Sequence, residues 1–259
     1  MLEKNILEKE AENAIKWIKE YVEKAGAKGI VVGNSGGKDS ATVLAMATKA
    51  IGKERVVAVS MPCHSNSNDF EDAKLVAETL GVRFLKVDLT DCYEQMEREM
   101  ESELKKIETD KLSREATINI KPRLRMTTLY GIAQTLGYLV IGTGNLCEAM
   151  VGYTTKWGDS SSDFNPIGNF TVEEVLAIGK YLGVPEKILK KAPNDGLGGQ
   201  TDEEKMGITY HQIAEMIETG NTEEVAKQEI LRRFENSKHK RETVPVYTFE
   251  RKNFLENFE

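Results

Sequence analysis

The segment Gly33-Asn34-Ser35-Gly36-Gly37-Lys38-Asp39-Ser40 holds the residues of this 259-residue chain best suited to gripping a phosphate. Its glycines permit φ > 0 and let a ligand come close to the main chain. Between a strand and a helix, the unpaired N–H groups and the positive helix end favour an anion such as pyrophosphate. A plain strand-to-helix turn also uses glycine; Ser35, Asp39 and Ser40 weigh against that simpler reading. The spacing is not that of the kinase and GTPase loop, which needs four residues before Gly-Lys and then Ser or Thr. Here three residues separate Gly33 from Gly37-Lys38, and Asp39 follows. Nor is it Gly-x-Gly-x-x-Gly.

A second polar block begins at Ile141-Gly142-Thr143-Gly144-Asn145-Leu146-Cys147-Glu148. It continues through Val151-Gly152-Tyr153-Thr154-Thr155-Lys156-Trp157-Gly158-Asp159, then Asp163-Phe164-Asn165-Pro166, and later Gly199-Gln200-Thr201-Asp202-Glu203. Taken singly these residues have ordinary readings. Thr143 favours a strand, Glu148 suits a solvated helix, and an isolated Lys or Arg is usually surface charge. Asp159 in Gly158-Asp159-Ser160 could be a turn aspartate. A carboxylate there could also serve as a general base.

The pattern Ser-Gly-Gly-x-Asp-Ser at 35–40 resembles the loop of the ATP pyrophosphatases, which cleave ATP between the α and β phosphates. Together with the second block, the chain resembles the ammonia-dependent NAD synthetases of that superfamily, from roughly residue 8 to the His239-Lys240 pair. The resemblance implies amidation of deamido-NAD by ammonia through an adenylated intermediate, with release of AMP and pyrophosphate. It puts residues 33–40, Thr143 and Asn194 at ATP, and Mg2+ on Asp39 and Glu148, oxygen donors suited to a hard cation. Arg123, Lys156, Asp163, His239 and Lys240 fall on positions that hold deamido-NAD, and Asp159 on one linked to the ammonia site. Two positions depart from the pattern. Val172 stands where much of the family has a lysine touching ATP, and Asn194 where a Ser or Thr does so. The segment 193–207 resembles a loop that orders over substrate. The resemblance further implies a homodimer. Rival readings are another ATP pyrophosphatase, such as a tRNA-modifying enzyme, or a non-catalytic nucleotide sensor. Catalytic cysteines and a basic RNA face would mark the former, and a sensor has no evident need for both Asp39 and Glu148.

The elements that must position these residues alternate. Residues 4–25 have apolar side chains at helical spacing, 29–32 read as a buried strand, and 40–51 as a helix. Strands at 55–61, 82–87 and 137–141 follow, with a helix at 69–80 ending at Gly81. Such alternation predicts an α/β fold, a three-layer, doubly wound, Rossmann-like parallel sheet. It is the adenine nucleotide alpha hydrolase-like arrangement that the resemblance implies. Ligands in such sheets bind beyond the carboxyl ends of the strands, where the glycine turn falls. A charged stretch at 94–115 reads as helical and solvated, followed by the basic Lys121-Pro122-Arg123-Leu124-Arg125. After residue 150 the strand rhythm fades, and helices are expected at 171–182 and 209–219. No repeat or Ser/Pro-rich linker divides the chain, so one domain over residues 1–259, without a glutaminase domain, is expected.

Bulk composition agrees. A net charge of -7 argues against broad nucleic-acid binding. Three scattered cysteines suit a reducing compartment better than a disulfide framework. No apolar run approaches the ~20 residues needed to cross a bilayer. The opening Leu2-Glu3-Lys4-Asn5 is unlike a signal peptide, and the cytoplasm is the expected location.

Overall fold

A computed structural model describes residues 2–191 and 201–247. Four parallel strands form one sheet in the order β3-β2-β1-β4: β1 Ile30–Gly33, β2 Val56–Ser60, β3 Arg83–Lys86 and β4 Leu139–Ile141. The alternation expected from sequence is present; β1 is shifted by one residue from its expected run, and β2, β3 and β4 are each two residues shorter than theirs. Parallel strands are reached by crossovers through helices, so both faces are covered. On β1, Ile30 and Val32 join the core shared with α1 (Lys4–Lys24), α2 (Lys38–Ile51) and α7 (Val172–Tyr181). Val31 points to the other face, where Val57, Val59 and Val140 meet Tyr93 of α4 (Thr90–Leu104) and Ala133 of α5 (Arg114–Leu136). The period-2 alternation of a strand thus divides one apolar run between two layers.

The chain goes from β1 outward to β2 and β3, then crosses back so that β4 pairs with the other side of β1. This reversal places a crevice between the carboxyl ends of β1 and β4. The glycine turn leaves β1 there, and Gly142-Thr143-Gly144 leaves β4.

Two regions differ from the sequence expectation. The charged stretch is not one helix: α4 ends at Leu104, and Ser113 starts α5 afresh by accepting the Ala116 N–H at 3.2 Å. The basic run 121–125 lies inside α5, with Pro122 in the helix interior and buried. Proline normally marks a helix boundary, and here tertiary contact overrides that preference. Beyond residue 150, α7 and α10 (Tyr210–Thr219) stand where expected, but α11 (Glu224–Asn236) is an additional helix. These helices bury their own cluster, in which Val172 meets Cys147 and Val151 of α6 (Leu146–Val151), Ile213 and Ile230. Of the expected substrate-covering segment 193–207, residues 192–200 lie outside the described residues, and α9 (Asp202–Met206) follows.

Candidate active site

The glycine turn is held from behind by α3 (Ser67–Leu80). Asn34 is buried; its Nδ2 donates to the carbonyl of Ala73 at 2.8 Å and its Oδ1 accepts from Gly36 N at 3.1 Å. Gly36 has φ +74°, and a Cβ there would come within 2.5 Å of Asp69 O and 2.8 Å of Ala73 N. Only glycine fits. Gly37 is the N-cap of α2 and brings no side-chain cap, so the helix start remains available to a ligand. Ser35 Oγ lies 3.1 Å from Ser40 Oγ and accepts from Gly37 N at 3.3 Å, which ties the turn to the start of α2.

Gly33, Asn34, Ser35, Gly37, Lys38, Asp39, Ser40, Thr143, Glu148, Asp159 and Lys240 all line one cavity of about 590 Å³. Gly36 instead faces α3. Lys38 is buried, 3.2 Å from Asp39 Oδ2, with its ammonium 5.5 Å from the centre of the Tyr210 ring. The helical cluster thereby reaches into the turn.

The two acids come together through a residue to which the sequence reading assigned no part. Asn145 caps α6, accepting from Glu148 N at 3.0 Å, while Glu148 Oε2 accepts from Asn145 N at 2.9 Å. The same Asn145 side chain donates to Asp39 Oδ1 at 3.4 Å. The capping-box spacing of Asn145 and Glu148 is visible in sequence; its link to Asp39, 106 residues away, is not. Burial, and then the neighbouring Asp39 charge, push the Glu148 carboxyl well above the ordinary range. Like carboxylates crowded this way form a natural seat for a cation. Among the described residues no group of three His, Cys, Asp or Glu is placed to cage a metal. A two-carboxylate donor set fits Mg2+, which takes its other ligands from water and phosphate.

Asp159 borders the cavity, open to its solvent yet closely surrounded by protein. Its Oδ1 accepts from Thr155 N at 2.8 Å, and burial raises its pKa against that hydrogen bond. The nearby Lys240 ammonium donates to the carbonyls of Gly152 and Thr154 at 2.8 and 2.6 Å. Three further expected residues form a string beside the cavity rather than in its wall. Arg123 Nε donates to the carbonyl of Lys156 at 3.3 Å, and Lys156 Nζ to that of His239 at 2.6 Å. Asp163 stands apart, its carboxylate accepting from Val140 N at 2.7 Å and Tyr130 OH at 3.3 Å. Asn194 lies outside the described residues. Val172 is 5% exposed within the helical cluster and brings no charge to the cavity.

Comparison with known proteins identifies the family. The family model NAD synthase matches residues 10–252. The NH(3)-dependent NAD(+) synthetase of Carboxydothermus hydrogenoformans is 43% identical, over 90% of this chain and 95% of that protein. The structure of NMN synthetase from Francisella tularensis superposes with a TM-score of 0.88 at 31% identity, covering 96% of this chain and all of the other. The NH3-dependent NAD synthetase from Campylobacter jejuni gives 0.76 at 25% identity, covering 96% of this chain and 100% of its own. Turn, paired acids and fold together place this chain in the NAD synthase family.

Proposed function

We propose the following division of labour for the ATP-dependent amidation of deamido-NAD by ammonia that this chain carries out. The turn 33–40 holds the outer phosphates of ATP, and Thr143 and Asn194 hold the remainder of the nucleotide. Asp39 and Glu148 would hold Mg2+, which when bound offsets the negative charge developing on the phosphates. The nicotinate carboxylate oxygen attacks the α phosphorus and the α–β bridge breaks, giving an acyl adenylate and pyrophosphate. Asp159 takes a proton from ammonium, ammonia adds to the acyl carbon, AMP leaves with the former carboxylate oxygen, and the nitrogen gives up a second proton to solvent as the amide forms. Arg123, Lys156, Asp163, His239 and Lys240 orient the dinucleotide. The observation carrying this reading is the grouping of Asp39, Asn145 and Glu148 beside an open helix start, at the ends of adjacent strands.

The test is mass detection of NAD from ATP, magnesium, deamido-NAD and ammonium, with glutamine as the alternative donor. ADP and orthophosphate as products, or an unchanged dinucleotide with either donor, would overturn it. The fit to the NMN synthetase structure supports a second acceptor, the corresponding mononucleotide. Arg123, Lys156 and His239 lie beside rather than in the one-chain cavity, which is compatible with a shorter substrate. The two acceptors compared at equal concentration decide between them by kcat/KM.

We read the chain as one catalytic domain working in the cytoplasm as a homodimer. The dimer reading is supported by α5, whose Ile, Leu, Met and Tyr side chains spread around its circumference, pack partly on the chain's own core and stay only half-buried. Among the described residues, no helix is long and apolar enough to cross a membrane.

A further inference from the structure

Lys191 borders the cavity together with Asp69. Its ammonium lies 2.7 Å from Asp69 Oδ1 and 2.8 Å from Asp72 Oδ2. Both acids belong to the stretch of α3 that backs onto the glycine turn, since a Cβ on Gly36 would come 2.5 Å from Asp69 O and 2.9 Å from Asp72 Cβ. The charge is therefore moored at the edge of the cavity, on the helix that packs against the glycine turn.

The mooring is easily released. Asp72, with a side chain 5% exposed, also meets Lys187 Nζ at 2.7 Å, so it keeps a cation when Lys191 leaves. Lys191 and Asp69 are more open, at 27% and 25%. Parting them does not strand an uncompensated buried charge, which is the costly event in breaking an ion pair. Burial pulls the Lys191 ammonium toward neutrality, but its bonds to Asp69 and Asp72 outweigh this and hold its pKa above the ordinary lysine value. It enters any exchange as a cation. Lys38, the lysine of the turn itself, is already engaged by Asp39 and lies over Tyr210.

We propose that Lys191 is a phosphate-binding residue, whose ammonium exchanges the α3 carboxylates for an oxygen of the β or γ phosphate and stays with pyrophosphate until it departs. This rests on the reading of the cavity as an ATP site. Nothing covalent is asked of it, only a trade of one anion for another of higher charge.

The experiment uses full-length protein and follows ATP–pyrophosphate exchange in the presence of deamido-NAD. K191M is expected to raise the KM for ATP and the inhibition constant of pyrophosphate about tenfold, the worth of one charge-assisted bond. The KM for deamido-NAD stays within about twofold. K191R, which keeps the charge, restores most of the loss. K187M, which shares the Asp72 contact but not the cavity, lowers Tm and leaves both constants unchanged. Should K191M lower Tm as K187M does while leaving ATP and pyrophosphate affinity intact, Lys191 is a structural latch and the proposal falls. Absence of exchange in the wild type would instead overturn the ATP-site reading, and the proposal with it.

Discussion

Glu148 and Asp159 are carboxylates held in surroundings that disfavour their charge, for different ends. Glu148 is pushed up by burial and by Asp39, so its ionised form gains most when a cation arrives between the two. E148Q should lower ATP–pyrophosphate exchange by roughly 100-fold or more, while the metal-free Tm at neutral pH stays at or above wild type, because a crowded negative charge has been removed. A fall in Tm with exchange intact would show Glu148 to be a capping residue only. Asp159 is raised by burial, and a base must be ionised to act. Amide formation should therefore decline as pH drops through its raised pKa. In D159N that acid limb should vanish, with amide formation slowed by about 10²–10⁴. Exchange of pyrophosphate into ATP should persist in D159N, since adenylation precedes the proton transfer; equal loss of both steps would remove Asp159 from the ammonia site.

At the scale of elements, the active turn depends on α3. The Gly36→Ala variant meets a positive φ and two backbone atoms of α3 closer than any Cβ tolerates. It should cost about 2 kcal/mol or more and abolish ATP binding, measured by denaturant unfolding and calorimetric titration. The mooring of α3 to α8 (Glu186–Leu189) has a pH signature. Burial drives the Asp72 carboxyl upward, but Lys187 and Lys191 outweigh it and the net pKa lies below the ordinary 3.8. A lowered carboxyl pKa stabilises above the unfolded value and ceases to do so as pH falls through the folded one. D72N should thus be less stable than wild type by about 2 kcal/mol near neutrality. That difference should shrink below about pH 4. A gap constant down to pH 2 would locate the loss in packing rather than charge.

For the whole molecule, two apolar cores sandwich the sheet, and the helices after β4 add a third. That third core carries Tyr210 against Lys38 and anchors Asp202, which accepts from the hydroxyls of Tyr153 and Tyr210 at 3.2 and 3.4 Å. The C-terminal helices therefore close one side of the glycine turn. The homodimer proposed above would cover the half-buried face of α5. Sedimentation equilibrium should give about twice the 29.0 kDa chain mass. A monomer at all concentrations would remove α5 as an interface.

Local spacing already carries the glycine turn, the capping-box pair Asn145 and Glu148, and the alternation of strands with helices, because each is set by residues a few positions apart. The order β3-β2-β1-β4 is another matter. It depends on where crossovers dock, and by pairing β4 with β1 it brings Asp39 to Asn145, while the packing of α11 on α6 brings Lys240 to the carbonyls of Gly152 and Thr154. The helix through Pro122 and the extra helix α11 were likewise hidden. Their stability comes from the surfaces they cover, which local propensity does not register. Lys191 has no motif that distinguishes it from any surface lysine. Only folding, by backing Asp69 and Asp72 against Gly36, sets its charge beside the glycine turn.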